Sequence, residues 1–218
     1  MMIDKIKSVL NLNKLAYDTV RKEYRQGMTE KDIKTLILSA CQAEDFSGDI
    51  IAGIRSGKVE GDATDYVLSK GDCLILDLQF KKGSMWSDTT RTFFIGTPDK
   101  EVRLIYDAVL CAKAAGEQML KSNISACEVY AAVNGAFAEL GKHFPHHAGH
   151  RFGTERVMQP QFLPEKSEKL QTGMTVTLEP GLYFENKFGI RLEDNYLVTE
   201  SGFINLFDYT TKIDDFIL

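Results

Sequence analysis

Two aspartates eleven residues apart, Asp77 and Asp88, lie in a stretch from Leu74 to Phe93 whose arms are rich in β-branched and aromatic residues and whose middle reads Lys81-Lys82-Gly83-Ser84. This pattern predicts a β-hairpin, with Gly83 free to take the positive φ of a tight turn. With the turn centred on Lys82-Gly83, Asp77 faces Asp88 directly across the hairpin, about 4.5–5.5 Å away at Cβ, where like charges repel. A cation between them would remove the conflict. The chain supplies more of the same chemistry further on. Leu170-x-x-Gly173 places Glu179 six residues after its glycine, as Leu68-x-x-Gly71 places Asp77, an offset of 102 residues in both comparisons, and Glu193 then stands where Asp88 stood. All four histidines, His143, His146, His147 and His150, fall within eight residues, and with Pro145 and Gly149 opposing a helix, His146 and His150 point to one face of an extended segment. Four carboxylates would neutralise two divalent ions and one imidazole would add a nitrogen ligand, a set suited to Mn, Co, Fe or Zn. Two such ions about 3.5–4 Å apart can share a water, lower its pKa and aim it at a polarised carbonyl.

The elements that must position these groups come twice. Residues 3 to 25 carry apolar side chains at near-helical spacing up to Gly27, and Thr29-x-x-Asp32 opens a second helix as a capping box. A strand around Gly48 to Gly53 and the hairpin close the first half. The order then restarts: Thr97 is the expected N-cap and Pro98 the first residue of a helix reaching about Leu120, and Ser125-x-x-Glu128 caps another that stops near Gly141. The expectation is a single catalytic domain, residues 1–218, made of two similar halves, about 1–96 and 97–218, with no extra N-terminal domain; no linker rich in Pro, Ser or Gly separates them.

The segments Asp77 to Phe93, His146-x-x-Gly149-His150, Glu179-Pro180-Gly181-x-Tyr183 and Arg191-Leu192-Glu193-Asp194 together resemble the pita-bread metallopeptidases, the family of methionine aminopeptidase, aminopeptidase P and Xaa-Pro dipeptidase. The resemblance covers almost the whole chain. It implies an α+β fold, a curved antiparallel sheet flanked by helices with pseudo-twofold symmetry. It implies too that Asp77, Asp88, His150, Glu179 and Glu193 hold two divalent metal ions, Asp88 and Glu193 bridging and Glu179 also moving protons. The sequence departs from the family in the substrate pocket. Glu60 and Val157 stand where two histidines are usual, and Arg151 replaces the glycine after the ligand histidine. Val157 can neither donate a proton nor hydrogen-bond an amide. His146 matches the position used by the Xaa-Pro branch and is expected to hydrogen-bond the substrate carbonyl. The implied activity is cleavage of the N-terminal peptide bond of small peptides, of the Xaa-Pro type. The alternatives are a methionine aminopeptidase, a hydrolase of a non-peptide carbon–nitrogen bond, and a binding module that keeps the fold without the chemistry.

Composition sets outer bounds. The 218 residues are 44% hydrophobic and 26% charged, with a formal net charge of -5, so neither nucleic acid nor an anionic membrane is an expected partner. No apolar run is long enough for a membrane span, and charges interrupt the N-terminal segment where a signal peptide would be apolar, which predicts a cytoplasmic protein. Cys41, Cys73, Cys111 and Cys127 are scattered and read as reduced thiols. Trp86 and Phe93 read as packing residues, Arg91 as an orienter of a carboxylate, Asp194 as facing away from the ligands, and Asp214-Asp215 as a solvated terminus. The oligomeric state is not written in the sequence.

Overall fold

A computed structural model describes residues 2–44, 50–56 and 61–218; for 50–56 it defines the strand but not the side chains. The first helix, α1 (Met2–Glu23), buries Ile6, Val9, Ala16, Tyr17 and Val20 on one stripe, the i, i+3, i+4 pattern of an amphipathic helix. Thr29 caps α2 (Glu30–Gln42) with the full capping box to Asp32. Strand β1 (Ile50–Ser56) lies antiparallel to β2 (Cys73–Lys82), which also pairs with β3 (Met85–Trp86) and β4 (Thr89–Phe94) in a four-stranded sheet.

The hairpin register differs from the expected one. Lys82 pairs with Met85, so the turn is on Gly83-Ser84, with Gly83 at φ +61°, and Asp77 lies opposite Thr90 rather than Asp88. The shift is two residues, and because side chains alternate with period two it leaves both aspartates on the same face. Asp88 itself sits in a break between β3 and β4 that is held from behind by α1. Asn13 Nδ2 donates to the Leu78 carbonyl (2.7 Å) and to Thr89 Oγ1 (2.8 Å), and Ser87 Oγ donates to Asn13 Oδ1 (2.7 Å).

The second half repeats the plan. The helix predicted to start at Pro98 begins two residues later, as α3 (Lys100–Met119). Asp99, whose carboxylate is a strong acceptor, takes the Val102 N–H at 2.9 Å and displaces Thr97 as the cap. Ser125 caps α4 (Ala126–Gly135), and a short 3₁₀ turn then ends at Gly141, which is left-handed. Strands β5 (His150–Arg151), β6 (Met158–Gln161), β7 (Thr175–Leu178), β10 (Asp194–Val198) and β11 (Phe203–Asn205) form a five-stranded sheet in the order β11-β10-β7-β5-β6, with β8 (Gly181–Phe184) and β9 (Phe188–Arg191) as a separate antiparallel pair.

The repeat is written in backbone bonds. Leu68 N–H donates to the Met28 carbonyl at 2.9 Å and Leu170 N–H to the Ile124 carbonyl at 2.8 Å; Gly71 N–H donates to Ile95 and Gly173 N–H to Val198. Both glycines have positive φ, +101° and +90°. The halves are joined at Thr90 and Glu193, whose backbones exchange two hydrogen bonds. Buried side chains from both form one core cluster, with Tyr17, Phe93, Tyr106, Phe137 and Tyr196 among its largest members. The C-terminal residues do not form a solvated tail. Leu218 N–H bonds the Phe94 carbonyl, Gly96 N–H bonds the Leu218 carbonyl, and Asp214 pairs with Arg103 at 3.0 Å, because the edge of β4 would otherwise leave backbone groups unpaired. No helix among the described residues is long and apolar enough to cross a membrane.

Candidate metal centre

Glu179 and Glu193 project from a single long hairpin interrupted in its middle. Leu178 pairs with Asp194 on one side of the interruption and Gly181 with Arg191 on the other, in one continuous register that sets the two glutamates opposite each other. The bridge from Glu193 to Thr90 then brings this hairpin against the aspartate hairpin, and Thr90 Oγ1 donates to Glu193 Oε2 at 2.9 Å. Asp88, His150 and Glu193, all buried, place one ligand atom each within 4.8 Å of one another. His150 Nε2 is 3.3 Å from Asp88 Oδ2 and 3.7 Å from Glu179 Oε1.

The tautomer of His150 follows from its surroundings. Nδ1 is 3.0 Å from the Arg151 carbonyl, which can only accept, so Nδ1 carries the proton and the Nε2 lone pair faces the carboxylates. Gly149 makes this placement possible: a Cβ there would collide with the Thr177 carbonyl oxygen, and the backbone is at φ +153°. The Thr177 side chain accepts the His150 N–H at 3.2 Å.

The electrostatics call for a cation. Burial first, and then the charges of Asp77 and Glu179, push Asp88 well above the usual carboxylate range, and burial with Asp88 and Glu179 does the same to Glu193. Burial raises Asp77 as well, opposed by Arg191, whose Nη2 is 2.7 Å from Asp77 Oδ2. Glu179 behaves differently: burial alone would raise it, yet His147, His150 and His146 bring it down to about 2. Asp77 Oδ1 and Asp88 Oδ1 are buried with no hydrogen-bond partner among the described residues. Carboxylate oxygens left in this state cost free energy unless a proton or a metal ion takes them up, so the residues present fit a metal site. Asp77, Asp88, His150, Glu179 and Glu193 could hold it.

His146 is placed differently from the expectation. Its Nδ1 meets the His147 carbonyl at 2.9 Å and so carries the proton, which leaves Nε2 to accept from the Tyr183 hydroxyl at 2.9 Å. Arg191 Nη1 donates to the same hydroxyl at 2.8 Å. His146 therefore has no N–H left for a substrate carbonyl, and burial, its dominant influence, holds its pKa below the ordinary imidazole value. Val157 is 37% exposed and lies just before β6, at the rim. Glu60 lies outside the described residues.

Sequence reasoning missed Tyr183, Arg191 and His147 as site residues. Arg191 carried a signal, since it lies two residues before Glu193 and so shares its face in an extended strand. Tyr183 belonged to the Glu179-Pro180-Gly181-x-Tyr183 motif, but its hydroxyl acquires a role only from His146, 37 residues away. Asp194 points away from the ligands, as expected, into a buried charge network. Its Oδ1 takes Arg91 Nη2 at 2.6 Å and its Oδ2 takes Lys113 Nζ at 2.8 Å. Burial is overridden there by the two cations, which keep the carboxylate below its ordinary value. Arg91 Nη1 also donates to the Glu193 carbonyl at 2.9 Å and so steadies the residue that reaches the site.

Comparison with known proteins gives the family and the fold. The Xaa-Pro dipeptidase of Pyrococcus horikoshii is 30% identical over 187 residues, which are 83% of this chain and 53% of that protein. The X-Pro aminopeptidase from Thermotoga maritima superposes with a TM-score of 0.90 at 28% identity, covering 100% of this chain and 63% of that one. The Xaa-Pro dipeptidase from Bacillus anthracis gives 0.91 at 27% identity, with coverage of 100% and 62%. The chain thus spans between half and two thirds of the length of these proteins, and its fold is the α+β pita-bread fold that the sequence predicted. The sequence model of metallopeptidase family M24 matches residues 4–200, and the chain belongs to that family.

Proposed function

We propose that this chain is a dinuclear-metal hydrolase that removes the N-terminal residue of small peptides with proline in second position. Asp77, Asp88, His150, Glu179 and Glu193 would hold the two ions in this reading. The observation that carries it is the buried cluster of Asp88, His150 and Glu193, with ligand atoms within 4.8 Å and with Asp88 Oδ1 orphaned. The substrate class is supported by the likeness to Xaa-Pro peptidases. When bound, the metal pair supplies Lewis acidity toward a carbonyl and lowers the pKa of water. The residues do the rest. Glu179 would accept a proton and return it to the leaving amine. Arg191 holds Asp77 and the Tyr183 hydroxyl in place, and His146 acts one step from the substrate by fixing the direction of that hydroxyl. Four free cysteines, two of them buried, support a reducing compartment such as the cytoplasm. Manganese, cobalt, iron and zinc all suit the oxygen-rich donor set.

The test is an activity screen of the chelator-stripped and metal-reconstituted protein on Xaa-Pro dipeptides, longer Xaa-Pro peptides and Met-initiated peptides. Turnover of the first class by the reconstituted protein, absent from the stripped protein, is the expected result. Turnover confined to Met-initiated peptides would make it a methionine aminopeptidase. Silence on all three with metal bound would favour a non-peptide carbon–nitrogen bond, and failure to bind metal under replete conditions would favour a binding module.

A further inference from the structure

His147 has no part in the resemblance by which the site was first read, where its position is an unspecified residue between His146 and Gly149. In the fold it is the imidazole nearest Glu179. Its Nδ1 lies 3.2 Å from Glu179 Oε1, the same oxygen that His150 Nε2 approaches to 3.7 Å. The His147 and His150 rings stand 5.6 Å apart at their centroids and nearly edge to face, at 68°. The side chain is 29% exposed, yet Nδ1 itself is buried and, 3.2 Å from a carboxylate oxygen, has no hydrogen-bond partner among the described residues.

Two ligands of one ion at bond lengths of about 2.0–2.2 Å sit about 2.8–3.6 Å apart for angles between a right angle and tetrahedral. The His147–Glu179 separation falls in that range, as does the 3.3 Å between His150 Nε2 and Asp88 Oδ2. A buried nitrogen at ligand-to-ligand distance from a carboxylate has the placement of a metal donor. We infer that His147 is a second nitrogen ligand, through Nδ1, for the ion that His150 and Glu179 hold. This rests on the two-metal reading above and adds to it an asymmetry between the ions: one site is built almost wholly from oxygen, the other has two imidazoles. Imidazole donors favour zinc, iron and cobalt, whereas a carboxylate shell favours manganese. The consequence is a nitrogen-rich site that discriminates against manganese beside one that does not.

The experiment uses the full chain stripped with chelator and titrated with Co²⁺ alone, read by visible absorption, by metal content and by X-ray absorption at the cobalt edge. It compares the wild type with His147→Ala and His147→Gln, the latter keeping an N–H donor for Glu179. The expected result is that both variants lose one imidazole from the cobalt shell and weaken one of two sites by more than the roughly 10- to 100-fold that loss of an outer-sphere partner causes. Wild-type affinity and absorption in His147→Gln would make His147 a positioning residue for Glu179 and overturn the inference. An unchanged imidazole count in both variants would do the same while leaving the two-metal reading intact. A wild-type chain that takes up no cobalt would remove both.

Discussion

In the first half, the frame set by Met28, Leu68 and Gly71 carries Asp77 and Asp88; in the second, the equivalent frame set by Ile124, Leu170 and Gly173 carries Glu179 and Glu193, with three imidazoles beside them. The backbone bonds repeat almost group for group, so the frame decides where acids emerge but not what surrounds them. The surroundings differ in front of the acids and behind them. In front, Gly53 lies against Asp77, whereas the segment that runs along Glu179 delivers His146, His147 and His150. Behind, the first half is braced by neutral hydrogen bonds from Asn13 and Tyr17, while the second is braced by the buried charges of Arg91, Asp194 and Lys113. A shared scaffold thus tolerates two supporting chemistries, and the nitrogen donors arrive through one segment of one half.

Breaking that segment should have the largest effect. Gly149→Ala places a methyl group against the Thr177 carbonyl, so it is expected to cost more than about 3 kcal/mol in chemical denaturation and to abolish cobalt binding, which needs His150 in place. Cobalt affinity at the wild-type level would show that the close approach does not position the histidines. The braces come next. Asp194→Ala takes the carboxylate away from the buried Arg91 and leaves Lys113 with Glu117 alone, an expected loss of about 3–5 kcal/mol. Asn13→Ala leaves neutral groups unpaired and should cost about 1–3 kcal/mol. Equal losses in urea melts would erase the distinction between a charged and a neutral brace.

The smallest effect should fall where the halves are most alike. The Thr29 and Ser125 N–H groups each donate to a carboxylate at 2.8 Å, Asp32 in one case and Glu128 in the other. Thr29→Ala and Ser125→Ala are each expected to lower Tm by about 2–4 °C. These hydrogen bonds hold both carboxylates below their ordinary pKa values: backbone then side-chain bonds for Asp32, the reverse order for Glu128. Their contribution is therefore complete above the ordinary carboxylate range and disappears as the pH falls below it, through the lowered values. The variants lose the hydroxyl-to-carboxylate bonds of both boxes and the pH-independent bond from the Asp32 N–H to Thr29 Oγ1, so their melting curves should approach the wild type on acidification, and a gap that does not narrow in acid would assign the effect to something other than those carboxylates.

The residue types that make the site were legible because acids and imidazoles recur at fixed offsets, and period-two alternation kept Asp77 and Asp88 on one face even though the pairing moved by two residues. What was illegible depends on tertiary partners. Lys113 and Glu117 read as an ordinary solvated i, i+4 pair on α3; only the arrival of Asp194 and Tyr196 makes them an interior network. Thr97 was the expected cap, and Asp99 took its place because its carboxylate reaches the Val102 N–H. His147 looked like one member of a histidine run, and only the position of Glu179 separates it from its neighbours.

The clamp of Asn13 on the break before Asp88 bears on the order of assembly. It closes contacts 65, 74 and 76 residues apart in sequence, and Asp88 is tied on its other side to Asn195, 107 residues away. Helices form locally and early, whereas contacts of this span must first overcome the entropy of closing long loops. The hairpin that carries both aspartates can form on its own, but Asp88 is not fixed until the first helix and a strand near the far end of the chain have both docked. The proposed ligand set is thus a product of nearly completed folding, and a bound ion would act on it as a latch that retards opening more than as a seed that hastens closure.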